Sequence, residues 1–321
     1  MHGYSSFLAV TRVMALALGL TMMTRAETYR SWDESSTDVS ESAADGTGAA
    51  GAEMDVSAVT NPANSPLNGE SYARVYESFS YDTGGFNGEI AESGLNAWSA
   101  SGAFISEPGL TYTDASGNVL PVLGNKVYSS YKSHDAHAYI RADGWPASHL
   151  HAGRLNSAGA TIWWSFLYNW TQRDGWENHR FALESTDGGY IGLEDVLSGG
   201  GTLVTFAGRN DEGAKVTGGS YNMSGTTFVL MKLATDASTN TVVDMWFDPL
   251  LDGGEAGLGA LDDSLTIAAD SADGVLHLDR IHKDQLGHSA TFGIDEIRQD
   301  TSFEAVVGGE APVQGVLLIV Q

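Results

Sequence analysis

The chain contains no cysteine. Disulfides, thiolate metal sites and cysteine nucleophiles are therefore excluded together. Proline is scarce, 7 residues against 39 glycines, which points to many tight turns rather than extended proline-rich segments. Basic residues are scarce too: 16 Lys and Arg stand against 41 Asp and Glu, a formal net charge of −25. Nucleic acid is excluded as a partner, because phosphate binding needs a Lys/Arg footprint. Anionic membrane surfaces are disfavoured on the same ground, and the excess acid keeps the chain soluble. Long apolar runs are missing as well. The longest, Val13 to Met23, falls short of the about 20 residues of a membrane-spanning helix. There is no phosphate-binding loop, no dinucleotide fingerprint and no Gly-x-Ser-x-Gly elbow.

What is present begins with a leader. Arg12 precedes the apolar run, and Thr24, Arg25 and Ala26 close it with small residues at the cleavage positions. That pattern predicts a secretory signal over 1–26, an extracellular or cell-surface destination, and no stable membrane insertion after cleavage. Residues 27–70 are rich in Ser, Gly, Ala, Asp and Glu and have little to bury, so an acidic disordered linker is expected. Residues 71–307 change texture. Short β-branched and aromatic runs alternate with Gly/Asp/Asn/Ser clusters such as Asp187 to Gly189 and Ser198 to Gly201. This is the strand-and-turn signal of an all-β, two-sheet antiparallel sandwich. Residues 308–321 read as a tail.

The clearest strand is Thr161 to Trp170. Successive side chains of a strand point to opposite faces. Ile162, Trp164, Phe166, Tyr168 and Trp170 make one continuous apolar face. Thr161, Trp163, Ser165, Leu167 and Asn169 make a mixed face, expected to look at solvent or a shallow groove. Arg180 to Glu184 points Phe181 and Leu183 inward. Thr227 to Ala234 suits a central strand with Lys232 facing out. Thr241 to Phe247 puts Asp244 and Trp246 on one face.

Several of these segments carry a resemblance. Tyr76 to Tyr81, Gly109 to Tyr112, Thr161 to Leu167, Phe228 to Leu233, Val242 to Pro249 and Phe292 to Arg298 follow one another as in the concanavalin A-like, or LamG-like, jelly-roll domains. Such domains occur in secreted proteins of planctomycete and verrucomicrobial type that carry a PEP-CTERM sorting tail. The resemblance implies a jelly roll with a concave face, a polysaccharide or surface glycan as partner, and a structural calcium ion. After Val307 the chain departs from that pattern, with no Pro-Glu-Pro and no closing Arg cluster.

The Glu-x-Asp-x-x-Glu signature of laminarinase-like hydrolases, which sets two carboxyls at glycosidase spacing, is not found. Asp295 and Glu296 are expected on opposite faces of a strand as solvated charges. His149 and His151 share a spacing that suits a metal but lack an evident third ligand. His134 to His137 reads as a polar loop. Sugar rings stack on exposed aromatics, so Trp163, Trp176 and Trp246, with His179, Arg180 and Asp244, are the candidate glycan groove. Asp248, Asp252 and Glu255 are the candidate calcium ligands, as oxygen donors on a Gly-rich loop. The expected function is a secreted, non-catalytic carbohydrate-binding or surface module. The alternatives are a glycoside hydrolase or polysaccharide lyase, and a purely structural or adhesive protein.

Overall fold

A computed structural model describes residues 73–130, 134–172, 178–195, 203–211, 213–269, 275–286 and 290–307. The chain divides into a unit of Met1–Thr60 and a unit of Asn61–Gln321, and every described residue belongs to the second. The expected leader, linker and tail lie outside the described residues.

The strands, in chain order, are β1 (Val75–Glu77), β2 (Gly84–Gly85), β3 (Ser99–Ser101), β4 (Phe104–Ser106), β5 (Lys126–Ser130) and β6 (His134–Tyr139). Next come β7 (Leu150–His151), β8 (Arg154–Leu155), β9 (Thr161–Gln172), β10 (Asn178–Glu184), β11 (Tyr190–Asp195) and β12 (Leu203–Arg209). The last are β13 (Val216–Asn222), β14 (Thr227–Thr235), β15 (Thr241–Phe247), β16 (Asp263–Ile267), β17 (Arg280–Leu286) and β18 (Ala290–Asp300), followed by a short helix, α1 (Phe303–Val307). A nine-stranded sheet runs β16-β15-β14-β9-β18-β5-β4-β2, with β1 also paired to β18. A seven-stranded sheet runs β13-β12-β11-β10-β17-β6-β3. All pairings between these strands are antiparallel.

Among the places where the chain passes from one sheet to the other are those between β5 and β6, β9 and β10, and β17 and β18. In the large sheet β5, β18 and β9 are neighbours; in the small one β6, β17 and β10 are. The same three ribbons are thus folded across both layers, which is the jelly-roll connection.

Alternation along β9 builds the core. Ile162, Trp164, Phe166, Tyr168 and Trp170 are fully buried between the sheets. They meet Phe181 and Leu183 of β10 and Ile191 and Leu193 of β11. The Phe166 and Phe181 rings lie 4.7 Å apart, edge to face. Each such side chain stabilises the fold by about 1.5–3 kcal/mol through burial.

The other face of the large sheet is buried as well. Trp163 and Leu167 of β9, Phe228 and Leu230 of β14 and Trp246 of β15 form a second apolar layer with Leu110, Tyr112, Leu120 and the helix residues Phe303, Val306 and Val307. Ser165, in the middle of that face, donates to the carbonyl of Val306 at 2.7 Å. The segment 107–123 lies over the sheet as a strap.

A bulge in β18 holds the strap down. The register against β9 shifts between Asp295 and Arg298, and Glu296 takes a positive φ of 50°. The expected alternation is lost there, and both carboxyls turn to the buried strap side. This corrects the expectation that Asp295 and Glu296 are solvated and opposed: both are completely buried. Asp295 accepts from the Leu110 amide at 2.7 Å and the Glu296 amide at 2.8 Å. Glu296 accepts from the Leu123 amide, from the Tyr76 hydroxyl at 3.1 Å and from Arg298 at 2.9 Å. Arg298 also donates to the Pro121 carbonyl. Glycine is required at 109, where a Cβ would stand 2.7 Å from the Asp295 carboxylate.

Burial and mutual repulsion push the Asp295 carboxyl up, and burial pushes up Glu296. Burial likewise pushes the Glu77 carboxyl up to about 7. A carboxyl raised in the folded state binds a proton that the unfolded chain has released, so stability falls as pH rises through that interval. In acid the sign reverses, because Glu184 and Asp279 are held below their ordinary values and lose their partners on protonation. Urea unfolding is therefore expected to show greatest stability near pH 5. The loss by pH 8 should be on the order of 2 kcal/mol; a stability that rises steadily from pH 5 to 8 would contradict the assignment.

Candidate functional site

With both faces of the large sheet covered, the outer face of the small sheet is the broad face that remains. Its register is unbroken from β3 to β11, so its side chains stand in rows across the strands. One row is Ser101, Asp135, Asp284, Arg180 and Glu194. The next is Ser99, His137, His282, Ala182 and Gly192, and the third is Tyr139, Arg280, Glu184 and Tyr190. The inner face is mostly aromatic and aliphatic, with His179 and Lys283 among those side chains, whereas most residues of these rows are ionisable.

Two arrangements occupy it. Towards β12, the buried Tyr190 packs with Ala182 and Ala207. The position between Tyr190 and Glu194 on this face is Gly192, where a Cβ would meet the Phe181 carbonyl at 2.2 Å. The Arg180 and Arg209 guanidiniums sit 4.5 and 5.4 Å from the Tyr190 ring. Lys215 pairs with Glu194 beside them. This half is closed by its own side chains.

Towards β3 the face is open and ordered. Glu184, 3% exposed, is the anchor. It pairs with Arg180 at 2.6 Å, with Arg280 at 2.9 Å and with Nδ1 of His282 at 2.6 Å. Burial works to raise its pKa, but the hydrogen bond and charge of His282 and the charge of Arg180 outweigh it, and Glu184 stays ionised. The Nε2 of His282 faces Asp135 at 3.3 Å, and the other Asp135 oxygen faces Nδ1 of His137 at 2.9 Å. The Asp135 side chain is 53% exposed. Desolvation opposes its ionisation, but the two imidazoles hold its carboxyl below the ordinary value. Beside them Tyr139 is 39% exposed, its ring edge-to-face with His137 at 5.7 Å. A line Glu184–His282–Asp135–His137 thus runs from a buried carboxylate to solvent and ends at an exposed aromatic ring.

The groove expected from sequence does not assemble. Trp163 and Trp246, 2% and 8% exposed, stack on each other at 5.9 Å beneath Phe303 and belong to the covered layer. Asp244 accepts from the Ser264 hydroxyl at 2.7 Å on that same sheet. His179 is on the other sheet and points inward, stacked on Trp170 at 3.8 Å. Of this set Arg180 alone reaches the open face of the small sheet, and Trp176 lies outside the described residues. The calcium set is also dispersed. Asp248 accepts from the Phe228 amide at 2.8 Å, Glu255 pairs with Lys232, and Asp252 is exposed. They do not converge: among the described residues one trio of metal-type donors lies with all ligand atoms within 4.8 Å, and it is Asp135, His137 and His282. His149 is engaged by the Thr161 carbonyl at 3.2 Å, and His151 stacks on His277. The expected loop at His134 to His137 is a strand, because Asp135, His137 and Tyr139 alternate with Ala136 and Ala138, which are buried.

No family model matches the chain, and no curated protein matches it. Solved structures similar to it include botulinum neurotoxin type C, which interacts with two ganglioside molecules (9% identity, TM-score 0.42). That likeness covers 72% of this chain and 48% of the toxin chain, about half its length. Two others are a Bacillus licheniformis β-glucanase and an endo-β-1,4-glucuronan lyase from the fungus Trichoderma reesei. They have 10% and 11% identity, cover 72% and 74% of this chain and 99% and 100% of theirs, each with TM-score 0.38. At such identities the likeness is one of backbone arrangement.

Removing the anchor of the open face tests its internal wiring. Glu184→Ala strands two guanidiniums and an imidazole and is expected to cost about 3 kcal/mol in urea unfolding. Glu184→Gln, which keeps the shape and an acceptor oxygen, should cost less than half of that; equal losses would mean that the negative charge alone holds the cluster.

Proposed function

We propose that the chain is an exported, non-catalytic module that binds carbohydrate on the outer face of its seven-stranded sheet, at Tyr139, His137, Asp135 and His282. The observation that carries this reading is the exposed Tyr139 ring beside a row of side chains already fixed by Glu184. A sugar presents an apolar ring face and an edge of hydroxyls, and the complementary surface is an aromatic ring beside fixed donors and acceptors. Asp135 accepts, Ser99 and Ser101 donate or accept, and Arg280 and Arg180 stand behind with Glu184. Because these groups are ordered before a ligand arrives, less entropy is lost on binding. Export, and association with a cell surface or matrix as the planctomycete-type resemblance implies, belong to the same proposal.

A second reading has an observation of its own. An imidazole held between two carboxylates, as His282 is, is also an arrangement for moving a proton. The hydrolase or lyase alternative would place its chemistry on this same open face.

The full chain should be run in affinity gels containing neutral and uronate polysaccharides, with product release followed in parallel. Retardation in at least one gel is expected, with no new reducing ends or unsaturated sugars. Tyr139→Ala should weaken binding at least about tenfold, a loss of about 1.4 kcal/mol. Released products would transfer the function to the enzyme reading. Retardation by none of the polysaccharides would leave the structural or adhesive one.

A further inference from the structure

The geometry points to a divalent transition-metal site at Asp135, His137 and His282. The inference does not depend on carbohydrate binding. His137 and Asp135 are two apart on β6 and so share a face, and the register places His282 of β17 directly opposite His137. Three donors are thereby set on two adjacent strands of a sheet, a more rigid base than a loop. Their ligand atoms all lie within 4.8 Å of one another. Asp135 stands 2.9 Å from one imidazole nitrogen and 3.3 Å from the other. Ligand atoms bound at zinc lengths in a tetrahedron are roughly 3.3 Å apart. The two imidazole planes cross at 87°, so both rings can aim at one point from different sides.

The hydrogen bonds say where a cation is needed. The Nδ1 of His282 lies 2.6 Å from a Glu184 oxygen that also accepts from the Arg280 guanidinium, so in a neutral ring the proton sits on Nδ1. Its Nε2 then turns a lone pair towards Asp135, itself an acceptor. Two acceptors at 3.3 Å repel unless a proton or a metal ion lies between them. Glu184 is already clamped by Arg180 and Arg280 and plays the part that carboxylates play behind metal-bound histidines, fixing ring orientation and tautomer. Two nitrogens and one oxygen suit zinc, copper or nickel rather than calcium or magnesium. Three protein ligands on a face where Asp135 is half-exposed leave a coordination position for water or for a ligand oxygen.

Chelator-treated full-length protein should be titrated with zinc chloride at pH 7.5 by calorimetry, with cobalt as a spectroscopic substitute. One zinc per chain with a micromolar or tighter Kd is expected, with cobalt bands of a four- or five-coordinate ion. His137→Gln, Asp135→Asn and His282→Gln should each weaken binding at least about tenfold, and Glu184→Gln about tenfold with stoichiometry unchanged. The His137 side chain is 21% exposed against 7% for His282, and His137→Gln is the variant expected to keep the wild-type near-ultraviolet circular dichroism, so its result stands even if His282→Gln unfolds. Binding no tighter than millimolar would overturn the proposal and leave a proton between His282 and Asp135. Equal affinity in a folded His137→Gln, Asp135→Asn double variant would overturn it too, by assigning the zinc to other histidines of the chain.

Discussion

The bulge in β18 sets two buried carboxyls side by side, Asp295 and Glu296, and each is spent on a backbone amide of the strap over the large sheet. Without those acceptors the Leu110 and Leu123 amides would be buried or strained without partners, and the strap would lack its fixed points. With them, Leu110, Tyr112 and Leu120 lie against Phe228 and Trp163, and α1 completes the cover. The arrangement carries a penalty, since like charges in a desolvated place favour the protonated form. Arg298, fully buried and bonded to Glu296 and to the Pro121 carbonyl, is the local compensation.

That closure decides where function can lie. A sandwich has two outer faces, and here the larger sheet is covered on both sides along its central strands, β9 and β14. Its tryptophans contribute packing, not recognition. The outer face of the seven-stranded sheet carries four of the basic residues of a strongly acidic chain: Arg180, Arg209, Lys215 and Arg280. Each except Arg209 is paired with a carboxylate of the same face. Such compensation makes the face an ordered polar surface rather than an electrostatic funnel, which suits a ligand of hydroxyls better than a polyanion. The open half, from Glu184 to Tyr139, differs from the closed half around Tyr190 because its aromatic ring stands free of guanidinium cover.

How much of this was legible in the sequence follows from the range of each interaction. The period of two along Thr161 to Trp170 is local, and it placed the core face correctly. The all-β two-sheet sandwich was legible for the same reason, strand by strand, and the jelly-roll order came from the family resemblance. The fate of Trp163 was not: its cover comes from residues 107–123 and 303–307, and nothing near residue 163 announces it. The pair at Asp295 and Glu296 misled because alternation assumes an unbroken register, and a bulge breaks it by one residue. The segment from His134 to Tyr139 was missed because its buried partners are alanines, whose small apolar surface leaves a weak strand signal. The juxtaposition of His137 and His282 depends on a pairing between strands far apart in sequence. The alternation of Asp135, His137 and Tyr139 was the one local signal that pointed to that face.

The central claim is that ligand contact belongs to the outer face of the small sheet and not to the tryptophans of the large one. Chemical-shift mapping of the isotope-labelled chain with an oligosaccharide from the most strongly retarding polysaccharide tests it most directly. Shifts gathered on the amides of β6, β10 and β17, with the Trp163 and Trp246 indoles unmoved, are the predicted result. Shifts of those two indoles, with β6 and β17 silent, would contradict it.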